Sequence, residues 1–99
     1  MNLILDDRRP FPDGPYNCVR SYEECVEFLR IFRTFSFISL DYNLGTPETG
    51  LDVLIYMHDN GISPAHINIH SDHILGVPLM KKYAEEHFPQ TRLTFNSLN

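Results

Sequence analysis

Two short apolar runs in this chain stop abruptly at aspartate. Leu3-Ile4-Leu5 runs into Asp6-Asp7, and Phe37-Ile38-Ser39-Leu40 runs into Asp41. A stretch that turns from apolar to acidic in one step marks a strand leaving a buried sheet. If two such strands are parallel neighbours, their carboxyl ends meet at one edge. In open α/β sheets, ligands bind at that edge where the strand order reverses. Three carboxylates converging there repel one another, and they call for a cation such as Mg²⁺, a bound proton or a cationic ligand.

The rest of the chain alternates in the same sense. Strands are expected at Asn2–Leu5, Asn17–Arg20, Phe35–Asp41, His66–His70 and Thr91–Phe95. Arg8–Tyr16 holds three prolines and a glycine and reads as an irregular loop. Ser21 and Glu24 fit a capping box, and the helix they open repeats Cys25, Phe28, Leu29 and Phe32 at helical spacing. A second helix is expected over Leu51–Asn60 with Val53, Leu54 and Met57 inward, closed by Gly61. A third is expected over Leu79–His87, with Pro78 in its first turn and Leu79, Met80, Tyr83 and Ala84 packed. Helical crossovers between strands imply a parallel sheet. The expected fold is a single α/β domain spanning residues 1–99.

Composition narrows the function classes. An apolar fraction of 42% supports one core. The formal charge of −5, with no basic block, speaks against sequence-independent nucleic-acid binding. No apolar run approaches the roughly 20 residues a membrane span needs, and no secretion signal is evident, so a cytoplasmic setting is expected. Cys18 and Cys25 are too few for a disulfide framework and read as reduced and partly buried.

In order along the chain stand Leu5-Asp6-Asp7-Arg8-Arg9, then Ser39-Leu40-Asp41-Tyr42-Asn43-Leu44-Gly45, then Thr49-Gly50. Ile69-His70-Ser71-Asp72-His73 follows, with Gly76 and Met80. This series resembles the receiver domain of two-component signalling, and more closely a receiver-like family named for cyclic-phosphate processing. The resemblance implies a three-layer, flavodoxin-like parallel sheet of order 2-1-3-4-5, here with an irregular first crossover and no final helix. It implies Mg²⁺ or Mn²⁺ at Asp6, Asp7, Asp41 and Asn43, and a hydroxyl, Ser71, on the phosphate. It also places the matching arginine at Arg9. Three positions depart from the patterns. Asn43 stands where the family has an acid and His73 where it has asparagine. The lysine expected after the last strand of a receiver is replaced by Asn96-Ser97, the only lysines being Lys81 and Lys82 on a helix.

The residues themselves allow that chemistry. Carboxylate oxygens suit hard divalent ions. A histidine near neutrality can exchange a proton with a phosphate-ester oxygen, and His70 ends a strand where its ring is expected to project toward the crevice rather than into packing. Arg9, and less directly Arg8, can clamp a phosphate through paired hydrogen bonds. His66 and His70 lie about 13 Å apart along a strand, too far to share one zinc ion. Two functions follow as expectations. One is a metal-assisted phosphoesterase, with His70 and Asp41 catalytic, acting on a small or terminal cyclic phosphate such as a nucleotide or RNA end. The other is a degenerate receiver or pseudo-receiver that binds a protein partner.

Overall fold

The computed structural model describes residues 1–95. Its elements run β1 (Asn2–Leu5), β2 (Asn17–Val19), α1 (Tyr22–Phe32), β3 (Phe37–Leu40), α2 (Gly50–Asp59), β4 (His66–Ile69), α3 (Gly76–His87) and β5 (Arg92–Thr94). Each expected strand and helix is present. The strands pair in parallel in the order β2-β1-β3-β4-β5, the flavodoxin-like receiver arrangement. Asn96 and Ser97, where the receiver lysine would be sought, lie outside the described residues.

Local chemistry fixes the helix ends. The Ser21 hydroxyl accepts the Glu24 N–H at 3.1 Å, and the Glu24 carboxylate reaches back to the Ser21 hydroxyl and the Arg20 N–H. At α2 the Asp52 carboxylate accepts from the backbone N–H and hydroxyl of Thr49. Gly61, at φ 69°, takes the left-handed turn after α2. α3 begins three residues before the expected start, at Gly76, so Pro78 lies inside its first turn, where a missing N–H is tolerated.

The two faces of the sheet differ. Leu3, Leu5, Ile38, Leu40, Ile67 and Ile69 join Cys25 and Leu29 of α1, Val53, Leu54 and Met57 of α2, and Met80 and Ala84 of α3 in one core. All three helices therefore cover this face. The alternate residues, Ile4, Ser39, Asn68 and Thr94, share one register row on the other face. There the third layer is a loop rather than a helix. Phe11, Pro10 and Pro12 lie over Ile4, Asp6 and His70. Arg20 pins this loop by stacking on the Phe11 ring at 4.1 Å and donating to the Arg9 carbonyl at 2.8 Å.

Two expected core residues point outward: Phe32 is 47% exposed and Leu79 is 49% exposed. Both lie at the ends of their helical stripes, where the face turns away from the sheet. Phe32 is left to stack on Phe28. Cys25 is buried, with its thiol pushed up to about 12 by burial, but Cys18 is exposed on the edge strand β2.

Candidate functional site

The parallel register aligns Leu5, Leu40 and Ile69 side by side. The residue after each is therefore delivered to the same edge of the sheet: Asp6, Asp41 and His70. All three are buried, and a ligand atom from each lies within 4.8 Å of the others. The convergence expected from sequence thus holds for Asp6 and Asp41, and the third close member is His70 instead of Asp7.

Asp6 is held as a carboxylate. Its Oδ1 accepts the backbone N–H groups of Arg8 (3.0 Å) and Arg9 (2.9 Å), and its Oδ2 faces His70 Nε2 at 3.1 Å. Burial opposes ionisation, yet the two N–H groups and His70 outweigh it and bring its pKa below the usual value. Asp41 goes the other way. Burial and the neighbouring Asp6 charge push its carboxyl up, against hydrogen bonds from the Ser71 hydroxyl and the Tyr42 N–H and the opposing pull of His70. One acid is held charged and its neighbour is strained by it.

His70 is more enclosed than a crevice residue, at 5% exposed. Its Nδ1 lies 2.6 Å from the Ser39 hydroxyl and its Nε2 meets Asp6. Burial lowers its pKa despite the pull of the two nearby acids, which favours the neutral ring. It nevertheless lines a cavity of about 240 Å³ with Arg9, Ile69, Ser71, Asp72, Val77 and Phe95. Arg9 crosses to this side, donating to the His70 carbonyl at 2.8 Å and pairing with Asp72 at 3.6 Å. Arg8 points to solvent with its side chain 83% exposed.

Asp7 and Asn43 sit apart from the trio. Asp7 packs toward the loop after β3, where its Oδ2 lies 3.2 Å from the position a Cβ on Gly45 would take. Its Oδ1 is buried with no hydrogen-bond partner among the described residues. Asn43 is exposed, and its side-chain carbonyl accepts the Gly45 N–H in a local turn. The donor set fits a hard divalent cation: two buried carboxylates side by side, and a third with an orphaned buried oxygen beside them in sequence.

Packing gives roles to residues that the motif series contained without a role. Gly50 and Gly76 allow close approach: a Cβ on Gly50 would fall 2.1 Å from the Asp41 carbonyl oxygen, and one on Gly76 would fall 2.2 Å from the Tyr42 ring. Tyr42 in turn packs against His73 at 4.6 Å. Ser39 and Asn68, which hold His70 from behind, were visible in the sequence as lone polar residues inside apolar strands.

A family model for the cyclic-phosphate processing receiver domain matches residues 1–86. No curated protein and no solved structure gives a match.

Proposed function

The chain belongs to the cyclic-phosphate processing receiver domain family, and on that premise we propose that it is a metal-assisted phosphoesterase acting on a small or terminal cyclic phosphate. The observation that carries this reading is the burial of Asp6 and Asp41 against each other beside His70, with a cavity opening onto Arg9 and Ser71. Asp6, Asp7 and Asp41 are the residues that would hold Mg²⁺ or Mn²⁺, which supplies charge neutralisation at the phosphate and makes water a stronger acid.

The chain's own groups divide the remaining tasks. Arg9 presents its guanidinium to the cavity from a position fixed by the His70 carbonyl, and would grip phosphate oxygens. Ser71 would turn its hydroxyl from Asp41 to a phosphate oxygen. His70 would turn its Nε2 hydrogen to the leaving ester oxygen as a hydrogen bond when that oxygen displaces the Asp6 contact, the ring keeping its hydrogen. Arg8 and Asn43 are assigned outer roles, because both face solvent.

The second reading, a pseudo-receiver that binds a protein, draws on the exposed apolar residues Ile74 (87%) and Leu75 (72%) ahead of α3. One experiment separates the two. The protein is incubated with Mg²⁺ or Mn²⁺ and a panel of cyclic nucleotides and RNA ends bearing a cyclic phosphate. Linear products are then sought by mass spectrometry. Ring opening that depends on His70 and the metal is expected. A folded, metal-binding protein that opens none of them leaves the binding module.

A further inference from the structure

Among the described residues, a string of hydrogen bonds crosses the sheet on the face away from the helices. His66 Nε2 lies 2.7 Å from Thr94 Oγ1, and the Thr94 hydroxyl donates to Asn68 Oδ1 at 2.6 Å. Asn68 Nδ2 donates to Ser39 Oγ at 3.0 Å, and Ser39 Oγ lies 2.6 Å from His70 Nδ1. His70 Nε2 ends the string at Asp6. The strand register produces it, since Ser39, Asn68 and Thr94 are direct partners on three adjacent strands. Ser39 and Asn68 are 0% and 2% exposed, so the bonds from Asn68 to Ser39 and from Ser39 to His70 form out of contact with water.

The string has a direction, and the amide sets it. An asparagine oxygen only accepts and its nitrogen only donates. Thr94 therefore donates its one hydroxyl hydrogen to Asn68 and accepts from His66. Ser39 accepts from Asn68 and has its one hydroxyl hydrogen left for His70 Nδ1. The other end imposes the same answer independently. Asp6 has Oδ1 taken by two backbone N–H groups, and Oδ2 faces His70 Nε2 and needs a donor, so a ring hydrogen belongs on Nε2.

We propose that Ser39 and Asn68 are positioning residues that lock His70 in its Nε2–H form, making it a hydrogen-bond donor at the site and keeping it out of the metal's ligand set. The three-residue cluster of Asp6, Asp41 and His70 is then a two-carboxylate site with a fixed N–H beside it. A ring nitrogen that carries a hydrogen has no lone pair for a metal. The lock concerns the hydrogen on one ring and stands whether the domain is an esterase or a binding module.

The test is ¹⁵N NMR of the His70 ring in the full chain at neutral pH, without metal and with excess Mg²⁺. The wild-type protein is expected to show a protonated Nε2 and a bare Nδ1, with Nε2 unchanged by Mg²⁺. A protonated Nδ1 with bare Nε2 overturns the lock, and loss of the Nε2 hydrogen on adding Mg²⁺ overturns its exclusion from the ligand set. Asn68→Asp replaces the donor with an acceptor. Ser39 then turns its hydroxyl to the new carboxylate, and Nδ1 loses the hydrogen bond it accepts, which moves its signal. An Nδ1 signal that does not move in a folded Asn68→Asp protein overturns the role of Asn68. Ser39→Ala is the milder variant and is read even if Asn68→Asp fails to fold. Its Nδ1 signal shifts to that of an unbonded bare nitrogen, and an unshifted signal overturns the role of Ser39.

Discussion

Replacing Asp41 with asparagine is expected to stabilise the metal-free protein. Asp41 is 7% exposed and offers an oxygen within 4.8 Å of one on the ionised Asp6. Two unit charges at that distance, in a medium of effective dielectric about 20, repel by roughly 3.5 kcal/mol. The pull of His70 offsets only part of this, since the Asp41 carboxyl is pushed up on balance. Asparagine removes the repulsion and keeps an oxygen for the Tyr42 N–H, but it weakens a charge-assisted bond and forces Ser71 to reorient, at a cost of about 1–2 kcal/mol. The net gain is about 1–3 kcal/mol, which for a domain of this size raises Tm by roughly 5–15 °C. The sign of the pH dependence follows from the raised pKa of Asp41. Its cost to the native state is full above that raised pKa and disappears as pH falls through it to the ordinary carboxylate value. The advantage of Asp41→Asn should therefore be greatest near pH 7 and vanish in acid. Excess Mg²⁺ should close or reverse the gap, because an ion that binds only the native wild type stabilises it by mass action. Thermal melts in chelator and in Mg²⁺ across pH measure all of this. A variant that melts below wild type in chelator at pH 7, or an advantage that does not depend on pH, refutes the argument from paired buried acids.

Other outcomes are expected at the same site. His70→Ala should lower stability by about 2–4 kcal/mol in denaturant melts, because it empties a buried volume and takes away the partner of Asp6 Oδ2 and of the Ser39 hydroxyl hydrogen. His70 is buried neutral with a lowered pKa, so wild-type stability should fall as pH drops below its ordinary value near 6.5, a slope that His70→Gln should flatten in acid melts. Gly76→Ala should destabilise by about 1–3 kcal/mol, since its Cβ meets the Tyr42 ring at 2.2 Å; a Tyr42→Ala background should relieve most of that loss. Arg9→Ala should weaken the binding of inorganic phosphate, or turnover of an accepted cyclic phosphate, at least tenfold, and Arg8→Ala should change either less than twofold; calorimetry and steady-state rates measure both.

The elements were legible because β1 and β3 stop at an acid and β4 at a histidine, and because α1 and α2 carry capping residues; the order of the strands came with the family resemblance. Ser21, Thr49 and Gly61 act at the positions where their side-chain or backbone chemistry predicts. What periodicity could not show was where an apolar stripe stops facing the core, as Phe32 and Leu79 demonstrate. The site was legible to the level of which residues reach the edge. It was not legible which would stand nearest one another. Asp7 follows Asp6 directly, and consecutive residues leaving a strand point to opposite sides, so His70 from β4 comes closer to Asp6 and Asp41 than Asp7 does. The burial of His70 was missed because its partner Ser39, and Asn68 which donates to Ser39, come together only once the register of β3 and β4 is known.

The loop of residues 8–16 has a kinetic consequence. The helices and the apolar side of the sheet form one core that does not draw on this segment. The loop is held chiefly at its ends and through Phe11 and Arg20. It can thus detach in a sub-global fluctuation that costs far less than unfolding the core. Each such excursion admits solvent to Ile4, Asp6 and His70 while α1, α2 and α3 stay docked. The backbone amides of this segment should then exchange with deuterium orders of magnitude faster than those of β3 and α2, and the breathing of this one loop sets how often water reaches the acidic edge from beneath.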